Sequence, residues 1–271
     1  MGTSNSHTRP GGTPLLPPWA DDAPPNTPPQ DSNDNDSQVS PTPVPTLNPR
    51  ALSNARSDYS GYASGHGGSL SKAVREYVRA NRGAQNATRA SRASKSSTSS
   101  LGGFLAGVAQ RGVDQALRDI GLSDAVGSSI SNVMTAVLNA IAPDGNTLDQ
   151  AVARQAETDT LKELYSKFDL NGGIDNLERM TEVDVQDALI LSVSNHIFHR
   201  FVNLLEIGLQ NGDVSPEQAV QAENDARYYI REKVRVDFGE IDVLNMNWKS
   251  DEATNLIENI FNQAHIILEE V

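Results

Sequence analysis

A chain of 271 residues with a net charge of -13 and only 5% aromatic residues has room for one ordinary domain plus additional sequence. It has no cysteine, which excludes disulfides, thiolate metal sites and a cysteine nucleophile. Charge is unevenly placed: residues 1–49 sum to -4, residues 50–95 carry nine basic side chains against Asp58 and Glu76 for +7, and the rest carries -16, so only the basic segment is a candidate for binding phosphates.

From Met1 to about Gly68 the chain is dominated by Pro, Ser, Asn, Asp, Gly and Thr. Such a segment buries too little apolar surface to offset the entropy of ordering, and proline breaks helices and sheet ladders alike. Residues 1–68 are therefore expected to form a disordered tail of polyproline-II character. Within it, Pro14-Leu15-Leu16-Pro17-Pro18-Trp19 gathers apolar groups on a stiff backbone, as a short docking motif does. Met1-Gly2-Thr3-Ser4-Asn5-Ser6 formally matches a myristoylation pattern, and the small second residue favours removal of Met1, leaving a free Gly2 amine.

Residues 69–100 read as a basic connector. Leu70, Val74, Tyr77 and Val78 share one helical face, so Ser69 or Ser71 is expected to cap a short helix ending near Asn81, with Gly83 beyond it. Arg75, Arg79, Arg82, Arg89, Arg92 and Lys95 are the candidate nucleic-acid contacts. If the second half is helical, Arg89, Arg92 and Lys95 share a face. Stacking partners are limited to Tyr59, Tyr62 and Tyr77, and docking of this segment onto an acidic protein surface explains the charge equally well.

Residues 101–271 read as an acidic helical domain. A helix from Leu101 to about Ile120, weakened at Gly107 and Gly112, precedes one from Ser123 to about Ile141. Thr147 with Gln150 forms a capping box for a helix to about Phe168, and Thr181 caps a long apolar helix stopped by Asn211-Gly212-Asp213. Ser215-Pro216-Glu217-Gln218 opens another, to about Val236, and a last helix runs from about Asp251 to Leu268. No strand alternation of useful length interrupts them. The expected fold is all-α, a bundle of about six to eight helices.

Recognisable catalysis is missing from the pattern. Asp169-Leu170-Asn171-Gly172-Gly173-Ile174 fails as a calcium loop, because Ile174 stands where glycine is required and Met180 where a bidentate glutamate is. His196 and His199 lack a third ligand or an HExxH setting, and read as core or surface histidines. No GxSxG, GxGxxG or P-loop pattern occurs. The expectation is a protein that is not an enzyme, without cofactor or metal. No apolar run nears the roughly 18 residues a bilayer span needs, and no signal-peptide pattern opens the chain, which reads as cytoplasmic.

The opening Met1 to Ser6, the run Gly11-Gly12-Thr13-Pro14 through Ala20, the segments Tyr77-Val78-Arg79 and Gly83 to Arg89, and Gln110-Arg111-Gly112-Val113-Asp114 resemble the B component of the bacterial Qat antiphage defence system. The resemblance covers the first twenty residues and about residues 69–122, and beyond them extends mainly to general pattern. It implies partners encoded alongside: a P-loop ATPase, a QueC-like enzyme of the 7-deazaguanine type and a TatD-like nuclease. It further implies that the QueC-like enzyme joins a 7-deazaguanine group to the Gly2 amine. Thr3, Ser4, Asn5 and Ser6 would be read in that enzyme's cleft, with Leu15, Leu16, Pro17 and Trp19 adding docking affinity. A nucleic-acid-binding adaptor working through residues 72–95 is the alternative, and lipid anchoring at Gly2 a second one.

Overall fold

Asn48 and Pro49 start a helix inside the stretch expected to be disordered. The Asn48 side chain accepts hydrogen bonds from the N–H groups of Arg50 and Ala51, at 3.1 and 3.4 Å, and Pro49 occupies the first turn, where no N–H is needed. In the computed structural model the described residues are 46–206, 214–236, 238–239 and 241–271, all within the unit Pro43–Val271. Helix α1 (Pro49–Ala63) buries Ala51, Ala55, Tyr59 and Ala63, one face at a spacing of four. The expected disorder of 1–68 is thus corrected for this part: a face made largely of alanine is weakly apolar by composition yet lets two helices approach closely. The loop that follows α1 folds back on it closely too, since a Cβ at Gly68 would stand 2.0 Å from the Asp58 carbonyl.

Helix α2 (Leu70–Ala80) returns antiparallel to α1, with the Ser69 side chain at its N-terminus and the Asn48 N–H donating to the Ala80 carbonyl at 2.7 Å. Helices α3 (Ala84–Ala90) and α4 (Arg92–Arg111) meet at Ser91, so Arg89 belongs to a different helix from Arg92 and Lys95, and the expected common face does not form. A boundary at residue 100 would cut α4, whose Ser94, Ser97 and Thr98 are already buried. The single helix expected from Leu101 to Ile120 is also corrected. Gly112 takes φ +82, which ends α4 and begins α5 (Val113–Asp119), whereas Gly107 leaves α4 intact and admits Ala116 at close range.

Ser123 opens only a 3-10 turn, Ser123–Ala125. Gly127, at φ +73, interrupts the expected helix, and Ser129 caps α6 (Ile130–Ile141). The capping boxes form: Thr147 with Gln150 at α7 (Leu148–Lys167), Thr181 with Asp184 at α8 (Glu182–Leu205), and Ser215 with Gln218 at α9 (Pro216–Lys233). Asp169, at φ +47, and two short 3-10 turns join α7 to α8. The turn Asn211-Gly212-Asp213 lies outside the described residues. Helix α10 (Asp251–Glu270) closes the chain.

The architecture is all-α, with ten α-helices among the described residues rather than six to eight. Glycines divide what hydrophobic period alone runs together, and α1 and α3 occupy stretches read as polar. The core centres on α8, where the Phe201 ring is met edge-on by Tyr59 at 5.0 Å and Tyr77 at 5.7 Å. Helices α4 and α7 pack on α8, and α10 lies along α2, α3 and α4. Between α9 and α10 a segment reaches back to α4, with Val243 buried and Trp248 seated where side chains at Gly102 and Gly103 would stand.

Candidate functional sites

The residues of the proposed N-terminal site, Gly2, Thr3, Ser4, Asn5, Ser6, Leu15, Leu16, Pro17 and Trp19, lie outside the described residues. The basic segment is described throughout, and much of its charge is engaged by the domain itself. Arg75 donates from Nη1 to the Val271 oxygen at 3.2 Å, Lys95 pairs with Glu258 at 3.0 Å and Arg79 with Glu76 at 2.9 Å. Arg82 donates from Nε to the Thr46 carbonyl at 2.6 Å. Arg89 and Arg92 are exposed and have no ion pair among the described residues. The six cations are thus dispersed over α2, the turn after it, α3 and α4.

Two polar clusters between α7 and α8 escaped the sequence reading. The first is sealed in the core. Glu157 Oε1 accepts from Ser192 Oγ at 2.8 Å and lies 3.2 Å from His196 Nε2, and Ser97 Oγ stands 3.3 Å from that same nitrogen. Glu157 and His196 have side-chain exposures of 0% and 2%. Serine, histidine and acid are present, but a triad places serine and acid on opposite imidazole nitrogens, and here both meet Nε2. This cluster ties three helices, and no substrate reaches it.

The second cluster opens to solvent. Asp159 Oδ2 accepts from His199 Nε2 on α8 and from Arg227 Nη1 on α9, both at 2.8 Å, and Lys162 Nζ stands 3.6 Å from Oδ1. The His199 ring N–H and, after it, the Arg227 guanidinium hold the Asp159 carboxyl well below the usual carboxylate range, against the upward pull of partial burial. Arg227 lies 4.1 Å from the centroid of the Phe198 ring. The cluster borders a concavity of about 590 Å³ whose rim also carries Asp144, Gln150, Arg154 and Thr158. Although His196 and His199 are three residues apart, they serve separate sites. The available signal was Glu157, a carboxylate on the face of α7 that otherwise holds Ala153, Thr160, Leu161 and Leu164.

Two further concavities offer less. One of about 680 Å³ lies between α7, α8 and the residues after α9, but its Lys167 bridges Asp184 and Asp187 and its Arg231 pairs with Glu163 at 2.6 Å. The other, about 520 Å³, lies beside Trp248, with its Arg111 pinned to Asp119 at 2.8 Å. Among the described residues there is no group of three or more His, Asp or Glu side chains fit to hold a metal ion, and no helix is long and apolar enough to cross a membrane.

A family model described as Qat anti-phage system associated protein QatB matches residues 83–268, from the start of α3 almost to the end of α10. The chain belongs to the QatB family. The match runs through the C-terminal helices, where the sequence resembled the family only in general pattern, and begins beyond the tail and the α1–α2 hairpin. Neither the curated proteins nor the solved structures contain a match. QatB membership makes the chain a component of an anti-phage system.

Proposed function

We propose that this QatB-family protein is a non-catalytic defence component whose N-terminus is a substrate. After removal of Met1, the Gly2 amine accepts a 7-deazaguanine group from a QueC-like enzyme of the same system. The amine attacks a carboxylate carbon that the enzyme has activated with ATP. An amide bond forms, the activating group leaves, and the amine supplies the nitrogen that ammonia supplies in ordinary QueC chemistry. Thr3 to Ser6 are read as extended chain in the enzyme's cleft, with Leu15, Leu16, Pro17 and Trp19 adding affinity.

Family membership is the observation that carries this reading, joined to a Met-Gly start whose second residue has no side chain to obstruct a cleft. The helical domain then presents surfaces to the P-loop ATPase and the TatD-like nuclease. Intact mass and N-terminal fragment spectra, with and without the QueC-like partner, provide the test. A deazapurine adduct on Gly2 is expected, and an unmodified Gly2 in cells that the system protects overturns the proposal.

The exposed, unpaired Arg89 and Arg92 favour one second reading, a nucleic-acid adaptor. It requires binding that weakens steeply with salt and falls when both arginines are replaced. Absence of binding at low salt removes it.

A further inference from the structure

The geometry around Asp159 points to an anion site, and we propose that the concavity between α7, α8 and α9 binds the phosphate group of a small molecule. Arg227 is its clamp. Only Nη1 of that guanidinium is used within the protein, at 2.8 Å from Asp159 and 3.4 Å from Asn195 Oδ1. Nε and Nη2 have no protein acceptor among the described residues, and Cζ lies over the Phe198 ring, 4.1 Å from its centroid. A guanidinium held on one edge and stacked on a ring has lost most of its rotamer freedom before a ligand arrives. Its remaining N–H groups form the planar fork that grips two oxygens of an oxyanion.

Arg154 shows the contrast. Its Nε pairs with Asp144 at 2.8 Å, and Nη1 and Nη2 donate to the Ala142 carbonyl and Asn139 Oδ1, both at 2.7 Å, so it is spent on structure. Lys162, 72% exposed and 3.6 Å from Asp159, can swing to a bound anion. Among its Arg, Lys and Asp side chains, Arg154, Lys162 and Arg227 outnumber Asp144 and Asp159, leaving a positive balance in a concavity of a chain whose net charge is -13. Concave walls concentrate that field. At about 590 Å³ the space exceeds a phosphate ion and falls within the range of small-molecule sites, so the phosphate arrives attached to a larger group.

The test titrates the full chain at low salt with inorganic phosphate and with adenosine monophosphate, following the Phe198 and His199 ring signals by NMR. Saturable shifts at both rings are expected, with affinity at least about tenfold lower in Arg227→Gln. Tighter binding of the nucleotide identifies a phosphate-bearing molecule as the ligand, and equal binding identifies the phosphate group alone. If Arg227→Gln does not fold, Lys162→Gln stands in, with affinity lower by about threefold, the loss of one partly exposed charge contact. Absence of saturable binding by either probe overturns the proposal. So does binding left undiminished in the folded Arg227→Gln protein, or in Lys162→Gln where only that variant folds.

Discussion

His265 is a neutral histidine sealed in the core. Its Nδ1 donates to the Phe261 carbonyl at 2.8 Å, Thr88 Oγ1 lies 3.2 Å away, and burial pushes its pKa down to about 4. In the unfolded chain the same ring takes a proton near pH 6.5. Between those values the unfolded state holds more protons, so folding stability is full above about pH 6.5 and declines as the pH falls toward 4, by up to about 3 kcal/mol. Urea midpoints at pH 7 and pH 5 measure this, and the slope over that window is expected to shrink in His265→Leu. Gly102 makes a second residue-scale test. A methyl group there would stand 2.3 Å from the Trp248 ring, so Gly102→Ala is expected to displace the segment before α10 at a cost of about 1–3 kcal/mol. Trp248 fluorescence, read with Trp19 changed to Phe, reports it as a red shift.

At the scale of elements, three helices share an unusual way of beginning. Helices α3, α4 and α5 have no local side-chain cap. Each receives a carboxylate from far along the chain instead: Glu269 accepts from the Ala84 N–H at 3.1 Å, Asp149 from Ala93 at 2.7 Å and Glu178 from Val113 at 3.0 Å. Asp149→Ala also strips Arg200 of its ion partner at 3.5 Å, and is expected to lower stability by about 1–2 kcal/mol, less in Asp149→Asn, as thermal unfolding will show. The same contrast explains what could be read in advance. Thr147 with Gln150 and Ser215 with Gln218 are neighbours in sequence, so their boxes are visible there. Asp159, His199 and Arg227 meet only because α7, α8 and α9 fold side by side, and no local spacing announces such a cluster. Helix α1 went unread for another reason: its buried face offers three alanines and Tyr59, too little apolar bulk to register against a background of Ser, Asn and Gly.

Across the whole molecule, the family match and the core have different limits. The match starts at residue 83, yet Tyr59 and Tyr77, which lie before it, enclose Phe201 at the centre of α8. The α1–α2 hairpin is therefore part of the domain's interior. A chain beginning at residue 69, where sequence alone would start the ordered part, loses α1 and uncovers Phe201. It is expected to fall short of a chain beginning at residue 46 by about 3 kcal/mol or more, or to fail to fold, as denaturant titration of the two will decide.

The distant caps also bear on the order in which the domain folds. Glu269 stands 185 residues from Ala84, Glu178 65 from Val113 and Asp149 56 from Ala93. Joining points so far apart costs chain entropy that only later contacts repay, so such caps form late. A contact absent from the transition state acts on the unfolding rate and leaves the folding rate alone. Asp149→Ala is therefore expected to speed unfolding while refolding keeps its rate, a split that stopped-flow chevrons will show.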